Sequence, residues 1–247
     1  MYVRETGDAH APPLLLLHGG GVAGWMWRPA LDRLGTSHRA IIPDLPGHGR
    51  SAAEAYRSHE ETARALVQIL EERAPNGATV AGFSLGAQLT ILLAATRPGL
   101  VARAVVVSAQ AKPLRFPGAT LGLLAATAPL ARREWFARLQ ARQLLIPDEL
   151  LADYVRDSVR TSRETLLATV GENIRFTLPS GWAAFPNRAM VMVGERERTL
   201  MHASARAVHA ALPGSRLITV PGCGHGIPLQ RPDLFAEVLA ERHPFGP

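Results

Sequence analysis

The segment Gly82-Phe83-Ser84-Leu85-Gly86 sets a serine between glycines at −2 and +2. An apolar run at 78–82 precedes it and an apolar, helix-forming run at 85–96 follows it. A serine at a strand-to-helix turn can present its Oγ as a nucleophile, and the helix N-terminus behind it favours developing negative charge. Glycines suit the flanks, because side chains there would collide in so sharp a turn. Such a nucleophile needs a base. Pro221-Gly-Cys-Gly-His225-Gly follows the apolar run Arg216–Val220 near the C-terminus. His225 therefore comes after the serine in chain order, as in one known arrangement of serine, acid and histidine. His18-Gly-Gly-Gly21 follows the apolar run Pro13–Leu17. Glycines there let backbone N–H groups approach a substrate oxygen, which nominates the N–H of Gly20 together with that of Leu85 as an oxyanion hole.

These three loops need a scaffold that brings them together. Short apolar runs at 13–17, 39–43, 78–82, 103–107, 189–193 and 216–220 read as strands. Helical patterns at 25–34, 59–73, 85–96, 201–212 and 232–242 fall between or after them. Strands crossed over by helices predict an α/β class with a mostly parallel central sheet flanked by helices. The alternation stops at 111–180, which is rich in Leu, Ala and Arg and holds prolines at 113, 117, 129, 147 and 179. That stretch reads as several short helices inserted into an α/β core of 1–110 and 181–247. Ligands bind at the carboxyl edge of such sheets, which is where the insertion is expected to sit. Its apolar residues Leu114, Phe116, Leu124, Trp135, Phe136, Leu139 and Tyr154 are candidates for a substrate pocket, with Trp135 the one singled out.

Composition narrows the function classes. The chain has 247 residues, 47% hydrophobic and 19% charged, which excludes a disordered or fibrous protein. One cysteine, Cys223, excludes an internal disulfide framework and argues against a cysteine-based zinc site. The net charge of +6 comes from scattered arginines, and no run reaches five basic residues, so nucleic acid is not an expected partner. The uncharged stretch 74–96 is long enough to cross a membrane, but Pro75, Gly77, Gly82 and Gly86 interrupt it. It reads as a strand, a turn and a buried helix, with no membrane span. A cytoplasmic location is expected, and oligomeric state stays open.

Together these features resemble the α/β-hydrolase fold family over nearly the whole chain. The resemblance rests on His18-Gly-Gly, Trp25 with Trp27, Asp44-x-Pro-Gly-His-Gly-x-Ser51, the turn at Ser84, and Gly222-x-Gly-His225 followed by Pro232-x-x-Phe235. It implies that 111–180 is a helical cap and that Asp44 and His48 shape a loop without doing chemistry. It implies a third catalytic residue, an aspartate a few residues past the strand at 189–193. Here that segment is Gly194-Glu-Arg-Glu-Arg198, with no aspartate. Glu197 fills the register and Glu195 competes with it. Some members carry the acid one strand earlier, where this chain has Ser108-Ala-Gln110. The implied function is a serine hydrolase that cleaves a carboxylic ester or lactone of a small molecule through Ser84, His225 and Glu197, with an acyl-enzyme intermediate. Neither cofactor nor metal is implied. Thioesterase, C–C bond hydrolase and acyl transferase chemistry stay open, as does a ligand-sensing member with little turnover. Fold alone does not choose among these reactions.

Overall fold

The computed structural model describes residues 1–131 and 133–242. Residues 132 and 243–247, which the sequence reading places in the insertion and the core, lie outside the described residues. The strands are β1 (Val3–Thr6), β2 (Pro13–Leu17), β3 (Arg39–Pro43), β4 (Ala78–Phe83), β5 (Val101–Val107), β6 (Arg188–Gly194) and β7 (Arg216–Val220). The helices are α1 (Arg28–Leu34), α2 (His59–Arg73), α3 (Leu85–Thr96), α4 (Pro117–Ala131), α5 (Glu134–Gln143), α6 (Asp148–Arg160), α7 (Arg163–Arg175), α8 (Thr199–Ala211), α9 (Ile227–Gln230) and α10 (Pro232–Leu239).

The seven strands form one sheet in the order β1-β3-β2-β4-β5-β6-β7. All neighbours are parallel except β1, which runs antiparallel to β3. The all-leucine run Leu14–Leu17 shows why a parallel sheet must be covered on both faces. All four side chains are fully buried. Leu15 and Leu17 join a core with Leu66 of α2, Leu89 of α3 and Val208 of α8. Leu14 and Leu16 join a second core with Trp27 and with Phe235 of α10. Each buried leucine contributes about 1.5–3 kcal/mol, which is why this strand reads as an unbroken apolar run.

Strand β1 has no counterpart among the predicted strands. Its sequence, Val-Arg-Glu-Thr, lacks an apolar run, and its two last residues are exposed at the sheet edge. Charged side chains suit an edge strand. The 25–34 pattern resolves into a 3₁₀ turn at Gly24–Trp27 followed by α1. Helix α2 starts at an N-cap serine: Ser58 Oγ accepts the Glu61 N–H at 3.1 Å.

Four helices, α4 to α7, lie between β5 and β6. Helix α4 packs on α7, and α5 packs on α6. Polar links tie them to the sheet-bearing part. Trp25 Nε1 donates to Asp157 of α6 at 2.8 Å, the His59 N–H donates to Glu172 of α7 at 2.7 Å, and Gln88 Nε2 donates to Asn173 at 2.9 Å.

Strand register fixes where the loops meet. Leu17 pairs with Gly82, Phe83 with Val107, Val107 with Met192, and Gly194 with Val220. The chain leaves β2 for β3 on one side and returns to β4 on the other. The loops after β2 and β4 therefore diverge at a switch point, where open α/β sheets place their ligands.

Candidate active site

Residues just past five strand ends converge: His18 to Gly21 after β2, Ser84 after β4, Ser108 after β5, Glu197 after β6 and His225 after β7. Ser84 has φ 53° and ψ −109°, a left-handed conformation that L side chains rarely adopt. It is held there on both sides. The Ser84 N–H donates to Val107 O at 2.8 Å, and α3 begins at the next residue. The glycines at −2 and +2 are sterically required. A Cβ on Gly82 would sit 2.1 Å from Gly86 O, and one on Gly86 would sit 2.1 Å from Leu17 O.

His225 Nε2 lies 3.1 Å from Ser84 Oγ, and His225 Nδ1 lies 2.8 Å from Glu197 Oε2. The Glu197 side chain is 1% exposed. Its other oxygen, Oε1, accepts the Gly194 N–H at 2.8 Å and the Ser108 hydroxyl at 2.7 Å. Burial alone would raise the Glu197 pKa. The contacts with His225, the Gly194 N–H and Ser108 outweigh it and hold the carboxyl below its ordinary value. A carboxylate fixed in this way orients an imidazole with its proton on Nδ1, which leaves Nε2 free to take the proton of Ser84.

The close fit of the two C-terminal loops explains Gly194. A Cβ there would lie 2.3 Å from Gly224 O. The Arg196 N–H donates to Cys223 O at 2.8 Å, which docks the Glu197 loop on the His225 loop. Cys223 is buried in that junction, as a small side chain should be. Glu195, the competitor, faces elsewhere: its Oε2 accepts the Gly222 N–H at 2.7 Å.

Gly20, Gly21, Ser84 and Leu85 line a cavity of about 310 Å³. The Leu85 N–H belongs to the first residue of α3, one of the donors a helix leaves without an intrahelical partner. Helices α4 to α7 supply the remaining walls, through Leu124, Ala128, Phe136, Tyr154, Leu166 and Asn173 among others. Trp135 stands outside this lining and is 60% exposed. Its ring meets that of Phe136 edge-on, with centroids 5.6 Å apart, and Phe136 is the one that reaches the cavity.

His18 and Asp44 support the loops. The buried His18 ring accepts the Leu45 N–H on Nε2 at 2.9 Å and donates from Nδ1 to Gly19 O at 2.8 Å. Burial, helped by nearby His48, lowers its pKa to about 3, so it is neutral. Asp44 accepts the N–H groups of Gly24 and Arg50 at 2.8 and 2.9 Å. Ser108 is the site-forming residue that sequence reasoning missed. Its signal was present, since it occupies the strand end weighed as an alternative acid position. Among the described residues no group of three or more His, Cys, Asp and Glu side chains is arranged to hold a metal ion.

The sheet order and the convergent loops define an α/β-hydrolase architecture. The profile of the Alpha/beta hydrolase family matches residues 14–238, and the chain belongs to that family. It is 28% identical to pimeloyl-(acyl-carrier protein) methyl ester esterase of Xanthomonas campestris, over 93% of this chain and 94% of that one. It is 36% identical to the magnesium-chelatase 30 kDa subunit of Rhodobacter capsulatus, in a match that spans 58% of this chain and about half, 54%, of that protein. An esterase from Exiguobacterium antarcticum superposes with a TM-score of 0.84 at 20% identity, covering 97% of this chain and 94% of that one.

Proposed function

We propose that the chain is a serine hydrolase that cleaves a carboxylic ester or lactone with an apolar acyl or alcohol part. One observation carries this reading. An unbroken relay from Ser84 Oγ through His225 to Glu197, with steps of 3.1 and 2.8 Å, opens into a mainly apolar cavity. Ser84 Oγ attacks the carbonyl carbon as His225 Nε2 takes its proton. The developing oxyanion is held by the N–H groups of Leu85 and Gly20. The imidazolium, steadied by Glu197, gives the proton to the leaving alcohol. Water then enters and His225 activates it to release the acid. Residues 111–180 form a cap over the site, and the side chains it contributes to the cavity select the acyl group.

Ester chemistry is favoured over the other reactions of the fold by the methyl ester esterase relative that matches along almost the full chain. The test is a panel of p-nitrophenyl esters graded by acyl length, with Ser84→Ala as the control. Turnover above that control, with a preferred length, supports ester hydrolysis. Binding without turnover across the panel would favour a ligand-sensing role.

A further inference from the structure

Helix α5 is built inside out. Its two buried positions are alanines, Ala137 and Ala141, one turn apart. Trp135 and Leu139, also one turn apart, are 60% and 46% exposed. A helix that only packs on a protein core buries its large side chains and exposes its small ones. Helix α4 repeats the pattern, with Ala128 buried and Leu123 and Leu130 exposed. Phe116 before α4 and Leu144 and Leu145 after α5 are exposed as well. Among the described residues these seven are the large apolar side chains with high exposure, and all fall within 116–145. Large apolar side chains left on exposed helix faces in this way mark an interaction surface.

The sequence of this stretch is basic as well. Residues 111–147 carry Lys112, Arg115, Arg132, Arg133, Arg138 and Arg142 against the single acid Glu134. That is five of the chain's six net positive charges. Arg138 and Arg142 are exposed and follow one another at helical spacing beside Leu139.

We propose that this face of α4 and α5 docks on an anionic membrane surface. Its leucines and aromatics enter the boundary between headgroups and acyl chains, and its arginines meet lipid phosphates. A second copy of the chain fits poorly, because the exposed arginines Arg133, Arg138 and Arg142 would meet the same arginines of the other copy. An acidic soluble protein would answer the arginines, but it would need an apolar surface shaped to seven side chains spread over two helices and their flanking loops. A bilayer needs no matching shape. Among the described residues no helix is long and apolar enough to cross a membrane, and the proposed contact is with the bilayer surface. Leu144 is both exposed on this face and part of the cavity wall. A lipid-borne ester would thus enter the cavity from the bilayer side. That last step rests on the proposed hydrolysis, whereas the docking itself does not.

Trp135 supplies a built-in reporter. Of the four tryptophans, Trp25, Trp27 and Trp182 are buried and Trp135 alone is exposed. The full chain is mixed with vesicles of phosphatidylcholine, alone or with phosphatidylglycerol, and binding is read by sedimentation and tryptophan emission. The expected result is salt-sensitive binding to the phosphatidylglycerol vesicles with a blue shift of emission. Leu123→Ser with Leu139→Ser, and separately Arg138→Gln with Arg142→Gln, should each weaken binding about tenfold. These side chains are exposed, so circular dichroism should show both variants folded. No sedimentation would overturn the proposal, as would binding with unshifted emission, since charge alone would then account for it. A lipid-free dimer broken by the leucine pair would also overturn it. So would capture by an acidic carrier protein that depends on the same arginines while vesicles are ignored. Vesicle binding is read without turnover, so its failure is distinct from failure of the hydrolase reading.

Discussion

Ser108 donates its hydroxyl to Glu197 at 2.7 Å, on the carboxylate oxygen opposite the one that faces His225. Ser108 has φ 55°, and its N–H donates to Met192 O at 2.8 Å, so the end of β5 is bent to aim this side chain at the acid. Glu195, two residues from Glu197, is engaged by Gly222 instead. Glu197→Gln should lower turnover by ~10³, because the imidazole loses both its orienting acceptor and its counter-charge. Glu195→Gln should change turnover less than about threefold. Ser108→Ala should fall between them, near tenfold, since a hydrogen bond to a charged group contributes about 1.5–3 kcal/mol. Steady-state kinetics of the three variants on one ester orders them. A crippled Glu195→Gln beside a healthy Glu197→Gln would reverse the assignment.

The turn around Ser84 should tolerate no side chain behind the proposed nucleophile. Gly86→Ala would put a methyl group against Leu17 O, on a backbone pinned between β2 and α3. The expected loss is at least about 3 kcal/mol, with a clear drop in Tm. Gly214→Ala, where nothing lies within 4 Å, is the matched control and should melt within a degree or two of the parent. Equal melting temperatures for both variants would contradict the tight packing described for the turn.

Stability should fall on mild acidification through buried histidines. His18 has its pKa lowered from 6.5 to about 3, and burial also lowers those of His48 and His59. A folded-state pKa below the unfolded value means that the unfolded chain takes up protons first as pH falls. The stabilisation is complete above about pH 6.5 and is lost progressively toward pH 3. Glu197, also depressed, adds its own loss only below the ordinary carboxylate range. Between about pH 7.5 and pH 5 the Tm should therefore drop, and the drop should shrink in His18→Gln, whose amide oxygen can still accept the Leu45 N–H. An undiminished drop would place the acid sensitivity elsewhere.

Acyl selection should follow Phe136 and not Trp135. Phe136→Ala enlarges the cavity wall and should move the preferred p-nitrophenyl ester to a longer chain, by an amount of ~1–3 kcal/mol in relative kcat/KM. An unchanged length profile would mean that the acyl group lies along another wall, such as the one formed by Leu166.

Much of the fold, and the positions of the candidate site residues, was legible in the sequence. The parallel strands announced themselves as apolar runs because both of their faces are buried, and Ser84, His225 and the glycine loop each follow such a run. Glu197 needed register, since a charged loop of Glu-Arg-Glu-Arg carries no periodic signal, and only the hydrogen bonds distinguish Glu197 from Glu195. Ser108 was hidden because serine is common in loops and its partner lies 89 residues away. Trp135 illustrates the opposite difficulty. Hydrophobicity suggested a pocket, but helix direction decides. Adjacent residues on α5 point about 100° apart, so Phe136 faces the cavity while Trp135 faces out. Strand β1 carries no apolar signal in the sequence because an edge strand need not be apolar.

The central claim is that Ser84 is a nucleophile activated by His225. It is tested most directly by incubating the folded chain with a fluorophosphonate and locating the adduct by peptide mass spectrometry. The account predicts a single phosphonylated residue, Ser84, with labelling slowed by about 10³ or more in His225→Ala and absent in Ser84→Ala. Labelling at another residue, or equal labelling of the His225→Ala chain, would contradict it.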